Sequence, residues 1–258
     1  MNYGVCGLPI IPMRAYHSDK SEMVSQLLFA ETFQILENKN NWIYIQTSFD
    51  NYRGWIDEKQ SLPLSETDFD RFTGSSLHFS VDLVNTARSN YKEQPVLLGS
   101  PLPFYRDLQF SFFDDKYSFI GRVINITQVK PTPEGVKNLA LKFLNAPYLW
   151  GGKTPLGVDC SGLTQMVYKL NNLSLERDSF LQAQQGTHLT KIDEARTGDL
   201  AFFQNEEGKI IHVGIMLNNT QIIHAHGFVR IDSVDQRGIY NTDLGVYSHT
   251  LSMVRRYF

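Results

Sequence analysis

The chain has 258 residues, 42% of them hydrophobic, and a formal net charge of −3 at pH 7. This length and apolar content predict two or three folded units, each with its own core. No block of Lys and Arg offers a surface for phosphate backbones or anionic lipid, and no run of about 18 apolar residues exists to cross a bilayer. We therefore expect neither a nucleic-acid partner nor a membrane span.

The N-terminal segment and the cysteine count bear on the compartment. Residues 1–20 lack the charged, apolar and small-residue regions of an export signal. Cys6 and Cys160 can form at most one bridge, which is an ordinary count for a reducing compartment. We expect a cytoplasmic monomer, and a periplasmic or secreted protein is the alternative if a leader has been removed.

The first half of the chain carries the aromatic and β-branched residues that are typical of strands. Residues 41–56 alternate around Ile43 and Ile45 and turn near residues 49–53, which predicts a hairpin. A second region of the same kind follows a polar connector at residues 62–72. Because each region ends with an aromatic-rich strand followed by a glycine, the sequence predicts two small β-barrels of one type.

The composition changes at residues 130–133. Two prolines and Glu134 precede apolar residues at helical spacing, which predicts the start of a helix. Further helices are predicted over residues 163–170 and 179–185, and strands over residues 199–204, 210–217, 221–226 and 253–258. Helices followed by strands in this order predict an α+β unit with an antiparallel sheet.

The segment VDCSGLTQMVYKL places Cys160 in the first turn of a predicted helix. Asp159 is a favourable N-cap residue, and the apolar residues behind it recur at helical spacing. A helix N-terminus stabilises a thiolate and lowers a cysteine pKa from its usual value of about 8.5. A free cysteine is also commonly a small buried apolar residue. Position alone leaves both interpretations of Cys160 open.

A thiolate nucleophile needs a base, and the base needs a residue to orient it. The segment KIIHVGIMLNNTQIIHAHG offers His212, His224 and His226. A two-residue turn between the two strands would place His212 and His224 on opposite faces, whereas a three-residue loop or a bulge would place them on one face. Satisfied polar residues on a half-exposed sheet, and a zinc site, are the alternatives.

Four blocks occur in the order VDCSG at residues 158–162, TGDLAFF at 197–203, HVGI at 212–215 and IHA at 223–225. Together they resemble the NlpC-type bacterial cell-wall peptidases, which are papain-like cysteine enzymes. The resemblance implies that Cys160 is the nucleophile, that His212 is the base and that His224 orients this base, without a metal or organic cofactor. His226 lies where the family often has a small residue and stays unassigned.

The first half of the chain resembles the paired bacterial SH3-like domains that precede this catalytic domain in enzymes cutting γ-D-glutamyl to diamino acid bonds. The implied fold is α+β, with SH3-like domains at residues 1–62 and 73–130 and a papain-like domain at residues 133–258. The same subgroup implies a pocket for the substrate, lined by Tyr148, Trp150, Asp159, Ser161, Asp178 and Ser179 and by Tyr52 from an SH3-like domain. Asp159 and Ser161 are implied to hold the free α-amine of a terminal L-alanine.

The expected function is hydrolysis of the γ-D-glutamyl to diamino acid bond in peptidoglycan-derived peptides with a free N-terminal L-alanine. The diamino acid is diaminopimelate or lysine. An amidase or acyltransferase with the same Cys, His and His residues is one alternative, and a wall-peptide-binding module without catalysis is another. An alkylation pKa near 8.5 for Cys160 would favour the binding module, and one well below 8.5 would favour the enzyme.

Overall fold

A computed structural model of the chain describes residues 2–75 and 77–258. The chain divides into two compact units, Met1–Val129 and Lys130–Phe258. Among the described residues, we find no helix with the length and apolar character needed to cross a bilayer.

The first unit consists mainly of antiparallel strands. Its elements are β1 (Tyr3–Cys6), β2 (Ile10–Arg14), β3 (Met23–Leu28), β4 (Thr32–Lys39), β5 (Trp42–Thr47), β6 (Arg53–Asp57), β7 (Ser61–Leu64), α1 (Glu66–Ser75), β8 (His78–Ser80), β9 (Val84–Arg88), β10 (Glu93–Leu97), β11 (Gln109–Phe112), β12 (Asp115–Ser118) and β13 (Val123–Asn125). Strands β1 to β7 form one sheet in the order β3-β2-β6-β5-β4-β1-β7. A second sheet has the order β10-β9-β12-β11, and β8 pairs with β13.

The predicted hairpin at residues 41–56 corresponds to β5 and β6, which pair from Trp42↔Asp57 to Gln46↔Arg53. The polar connector at residues 62–72 contains a helix that the sequence did not predict, α1. Its Phe72 is buried, and the Phe72 ring lies 5.6 Å from the ring of Phe112 in the second sheet. Because one apolar cluster includes residues from both sheets, the two predicted barrels share a core within one compact unit.

The second unit combines short helices with a closed sheet. Its elements are α2 (Pro133–Leu141), β14 (Lys153–Thr154), β15 (Gly157–Val158), α3 (Cys160–Lys169), α4 (Ser179–Gln182), β16 (Thr187–Leu189), β17 (Leu200–Gln204), β18 (Ile210–Met216), β19 (Gln221–His226), β20 (Phe228–Asp235), β21 (Gly238–Asn241) and β22 (Val246–Arg256). The order is β16-β22-β17-β18-β19-β20-β21, and β21 also pairs with β22. This last pairing closes the strands from β17 to β22 into a barrel.

Helix α3 is the central helix of the second unit. All of its residues are buried, and it packs on β18 and β19. Asp159 caps it, since the Gly162 N–H donates to Asp159 Oδ1 at 2.6 Å. The predicted strands at residues 199–204, 210–217 and 221–226 match β17, β18 and β19, whereas β20 and β21 were not predicted.

Candidate active site

The register of two neighbouring strands, β18 and β19, brings His212 and His224 together. His224 on β19 lies opposite Gly214 on β18, and Leu217 donates its N–H to the Gln221 carbonyl at 2.8 Å. The connection between these strands is therefore the three-residue loop 218–220. Because His212 is two residues from Gly214, it lies diagonally across from His224 on the same face.

Glycine at position 214 allows this crossing. A Cβ atom built at Gly214 would lie 2.9 Å from the Cβ of His224 and 2.7 Å from the Cδ1 of Ile222. Both distances are shorter than a carbon contact allows. A side chain at Gly214 would thus displace His224 from its place beside His212.

The two imidazoles belong to a buried chain of hydrogen bonds. His212 Nε2 lies 2.9 Å from His224 Nδ1, and His224 Nε2 lies 3.0 Å from Asp232 Oδ2. The exposed fractions of His212, His224 and Asp232 are 5%, 0% and 4%. Since the bond to His224 occupies Nε2 of His212, the nitrogen left to exchange a proton with a thiol is Nδ1.

Cys160 begins α3 and is 8% exposed. The backbone N–H groups of Val213 and Ser161 lie near its sulphur and favour the thiolate. Val213 directly follows His212 on β18, so the start of α3 lies against the strand that carries the candidate base. The predicted nucleophile, base and orienting residue are therefore brought to one region of the second unit.

Asp159 makes more contacts than a helix cap needs. Arg177 Nη1 donates to Asp159 Oδ1 at 3.0 Å, and Arg177 Nη2 donates to Asp159 Oδ2 at 2.6 Å. The Gly151 N–H adds a bond to Oδ2 at 2.8 Å. Ser161 is held by the same guanidinium, since Arg177 Nη1 donates to its Oγ at 2.8 Å. Arg177 is only 1% exposed, so the two charges form a buried ion pair.

Comparison with known proteins identifies this unit. The model of the NlpC/P60 family matches residues 145–248, which include Cys160, His212 and His224. The second unit is an NlpC/P60 domain. The model of the bacterial dipeptidyl-peptidase Sh3 domain matches residues 14–60, so an SH3-like domain precedes it. The predicted fold class is confirmed to that extent, and a second SH3-like domain at residues 73–130 stays a prediction.

Relatives extend the similarity over most of the chain. Dipeptidyl-peptidase 6 of Lysinibacillus sphaericus is 26% identical over 87% of this chain and 89% of its own length. A γ-D-glutamyl-L-lysine dipeptidyl-peptidase of Bacillus subtilis is 29% identical over 78% of this chain and 71% of its own length. The crystal structure of an NlpC/P60 family protein from Bacillus cereus matches 99% of both chains with a TM-score of 0.85 at 18% identity, which shows the same fold. The NlpC/P60 domain described above is thus a cysteine peptidase domain.

Burial determines the charge state of the NlpC/P60 site. Burial and the charge of Asp159 raise the pKa of the Cys160 thiol to about 12, although the nearby backbone N–H of Val213 and the charge of Arg177 act in the opposite direction. Burial, together with His224 and His249, lowers the pKa of His212 well below its usual value. Both directions favour a neutral thiol and a neutral imidazole in the free protein. The stabilisation of a thiolate expected from the helix start is outweighed by the loss of hydration.

We expect alkylation of Cys160 by iodoacetamide in the free protein to have a midpoint above pH 8.5, because the buried neutral thiol must lose its proton to react. Peptide mapping by mass spectrometry separates Cys160 from the buried Cys6, which serves as an internal control. A midpoint well below pH 8.5 would contradict the neutral pair. Turnover, and not the thiol pKa, then distinguishes an enzyme from a binding module.

The remaining predicted pocket residues take different places. Burial raises the pKa of Tyr148 above its usual value, and the charge of Asp159 acts in the same direction, so the Tyr148 hydroxyl stays protonated near the cysteine. Tyr148 and His212 also line a cavity of about 200 Å³. Trp150 is 60% exposed, whereas Asp178 and Ser179 are half-buried at the start of α4.

Tyr52 belongs to the first unit and packs against an apolar cluster there. Its side chain is partly buried within that unit. Its contribution to a substrate pocket stays a prediction.

A metal site was the alternative for the histidines. Ring nitrogens of His212, His224 and His249 lie within 4.8 Å of one another. However, both nitrogens of His224 already take part in hydrogen bonds, and the rings of His212 and His249 are stacked at 4.2 Å. A shared ion would have to break one of those bonds. The contacts suit proton transfer better than chelation, and a metal-free site stays a prediction.

Proposed function

We propose that the NlpC/P60 domain hydrolyses the γ-D-glutamyl to diamino acid bond of peptidoglycan-derived peptides that begin with a free L-alanine, in the recycling or turnover of wall peptides. The observation that carries the proposal is the hydrogen-bonded pair of His212 and His224. The residue after His212, Val213, lies near the Cys160 sulphur at the start of α3. The name of the Bacillus subtilis relative supports a γ-D-glutamyl bond as the target.

The reaction starts from the neutral pair. The Cys160 sulphur attacks the carbonyl carbon of the γ-D-glutamyl bond while the thiol proton passes to His212 Nδ1. Backbone N–H groups at the start of α3, together with the Tyr148 hydroxyl, stabilise the oxyanion of the tetrahedral intermediate. His212 then protonates the leaving amine of the diamino acid, which breaks the amide bond and leaves an acyl-enzyme.

Hydrolysis of the acyl-enzyme uses the same groups in the reverse sense. His212 takes a proton from water, the resulting hydroxide attacks the thioester carbonyl, and the Cys160 sulphur leaves and recovers its proton from His212. His224 holds the His212 ring through the bond to Nε2 in both halves. The products are L-Ala-γ-D-Glu and a diamino acid or a peptide that begins with it.

Asp159, the predicted ligand of the substrate's free amine, already has partners in the free protein. Both carboxylate oxygens of Asp159 already accept hydrogen bonds, and Arg177 neutralises their charge. A substrate ammonium group would therefore join an existing ion pair and not face a lone carboxylate. Asp178 and Ser179, at the start of α4, are the further predicted contacts for this end of the substrate.

The test uses the full chain with L-Ala-γ-D-Glu-diaminopimelate, the corresponding lysine tripeptide and the N-acetylated form of each. We expect mass spectrometry to find L-Ala-γ-D-Glu and the free diamino acid from the unblocked peptides. Acetylation removes a charged hydrogen bond of about 1.5–3 kcal/mol and should slow cleavage about ten- to hundredfold. Comparison of the two tripeptides also gives the preference for the third residue.

Cys160→Ala should yield no product, because the proposed mechanism has no other nucleophile that could form the acyl-enzyme. Cleavage retained in this variant would overturn the proposed mechanism. Equal cleavage of the free and acetylated peptides would remove the amine-binding role of Asp159 and Ser161 and favour a general wall hydrolase. A new amide or ester in place of the two hydrolysis products would identify an acyltransferase.

A further inference from the structure

Asp232 ends the buried hydrogen-bond chain of the NlpC/P60 domain. It lies on β20, is 4% exposed and is bonded to His224 Nε2 at 3.0 Å. Arg230 Nη2 donates to the other carboxylate oxygen, Oδ1, at 2.8 Å. Arg230 Nε is also 2.8 Å from Oδ2, but its N–H is not aligned for a hydrogen bond. The strand register places Asp232 there, since it is two residues from Arg230, which pairs with His224.

The charge of Asp232 determines the direction of each hydrogen bond in the chain. Burial alone would raise the pKa of Asp232, but the hydrogen bonds from His224 and Arg230 outweigh it and hold this pKa below the usual value. An ionised carboxylate can only accept, so the proton between the two residues belongs to His224 Nε2. In neutral His224, Nδ1 is then an acceptor.

The tautomer of His224 in turn determines the tautomer of His212. Because His224 Nδ1 accepts, His212 must donate from Nε2 across the 2.9 Å contact. A neutral imidazole carries one ring proton, so His212 Nδ1 is left with its lone pair. This is the nitrogen that must accept the thiol proton of Cys160. The opposite tautomer of either histidine would place a proton on His212 Nδ1 and remove its capacity to act as a base.

We propose that Asp232 is a positioning residue of the peptidase, which fixes the tautomers of His224 and His212 so that His212 Nδ1 is the base for Cys160. The inference rests on the proposed function for its kinetic test. Asp232 takes no proton during the reaction, and its negative charge stabilises the imidazolium that forms when His212 accepts the thiol proton.

Asp232→Asn is expected to reverse the direction of every hydrogen bond from residue 232 to His212. The aligned bond from Arg230 Nη2 keeps the amide oxygen at the Oδ1 position, so the amide NH₂ faces His224. His224 Nε2 must then accept, His224 Nδ1 donates to His212 Nε2, and the proton of His212 moves to Nδ1. We expect kcat for the tripeptide to fall by about 10³- to 10⁴-fold, as expected for a wrong tautomer, with little change in KM.

Two further variants separate tautomer control from a structural role. Asp232→Ala imposes neither tautomer, so it should retain more activity than Asp232→Asn. A purely structural role predicts the reverse, because Ala removes every contact that the Asp232 side chain makes with Arg230 and His224. In the double variant Arg230→Met/Asp232→Asn, the amide is free to turn its oxygen toward His224, and we expect at least a tenfold recovery of kcat. Asp243→Asn is the matched control, since it removes the exposed second carboxylate bound by Arg230 and should keep the wild-type kcat.

Nitrogen-15 NMR of the histidine rings in the full chain reads the tautomers without substrate. We expect protonated Nε2 and unprotonated Nδ1 for His212 and His224 in the wild type, and the opposite pattern in Asp232→Asn. The opposite pattern in the wild type would overturn the proposal, and so would an activity of Asp232→Asn within tenfold of the wild type, or of Asp232→Ala below Asp232→Asn. If the wild type does not cleave the tripeptide, the proposed function fails, and the NMR pattern alone decides the role of Asp232.

Discussion

Asp159→Asn is expected to lower the free energy of unfolding of the NlpC/P60 domain by about 3–5 kcal/mol, because it removes the carboxylate that neutralises the buried guanidinium of Arg177. Asn caps helices about as well as Asp, so the variant keeps the cap of α3 and tests the ion pair. The measurement is a urea unfolding series at pH 7, followed by hydrogen exchange of the α3 amides so that the domain is observed by itself.

Two controls decide the origin of that loss. The double variant Asp159→Asn/Arg177→Met removes both charges and should recover a large part of the lost stability. Burying two neutral side chains costs less free energy than burying one unpaired charge. Glu207→Gln makes the same chemical change in an exposed pair, in which Lys209 lies at 2.7 Å and the two side chains are 74% and 68% exposed. It should leave the urea midpoint unchanged. An Asp159→Asn loss no larger than that of Glu207→Gln would contradict the assigned role.

The parts of the site that depend on neighbouring residues were predictable. An Asp before Cys160 and apolar residues at helical spacing predicted a capped helix, and α3 begins at Cys160 with Asp159 as its cap. Alternation predicted β18 and β19, and a three-residue loop between them was one of the three stated possibilities. The assignment of roles to Cys160, His212 and His224 came from the family resemblance. The structure brings the two histidines into hydrogen-bond contact, and the three roles stay predictions.

The parts that depend on distant residues were not predicted. The partner of Asp159, Arg177, lies 18 positions along the chain in a segment without regular structure, and no local pattern marks it. The low thiol pKa expected for Cys160 was a local inference from the helix start. Burial by β18 is a tertiary effect, and it outweighs the helix contribution.

Strand β20 was missed for a related reason. Its buried positions are Val229, Asp232 and Val234, which do not alternate, and one of them carries a charge. The sequence did contain one signal for this strand, the glycine at position 227 between two apolar segments. In the structure Gly227 adopts a positive φ of 72° in the tight turn between β19 and β20. A hairpin centred on Gly227 would have placed Asp232 on the same face as His224.

Acidification is expected to destabilise the NlpC/P60 domain steeply below about pH 6.5. Burial lowers the pKa of His212, His224 and His249 in the folded protein, and for His249 the pKa falls to about 4. The unfolded chain binds these protons at about pH 6.5 and the folded chain does not, so stability is complete above pH 6.5 and is lost as the pH falls. Each histidine contributes at most about 1.4 kcal/mol per pH unit.

Urea unfolding at pH 7, 6 and 5 measures this slope. His249→Gln removes one of the groups whose pKa is lowered, a half-buried histidine, and should make the slope shallower by about one proton between pH 6.5 and 4. His188→Gln makes the same substitution at an exposed histidine of the same domain and is the matched comparison variant. An unfolding free energy that stays constant from pH 7 to pH 5 would contradict the neutral burial of the histidine cluster.

Burial of His212 also determines how kcat depends on pH. His212 stays unprotonated below pH 6.5 in the folded domain, so its capacity to accept the thiol proton outlasts the pH range in which the fold is most stable. The acidic decline of kcat should therefore follow the unfolded fraction, measured by hydrogen exchange in α3, and not a single ionisation near pH 6.5. A decline near pH 6.5 with full protection of α3 would show that His212 titrates like an exposed histidine.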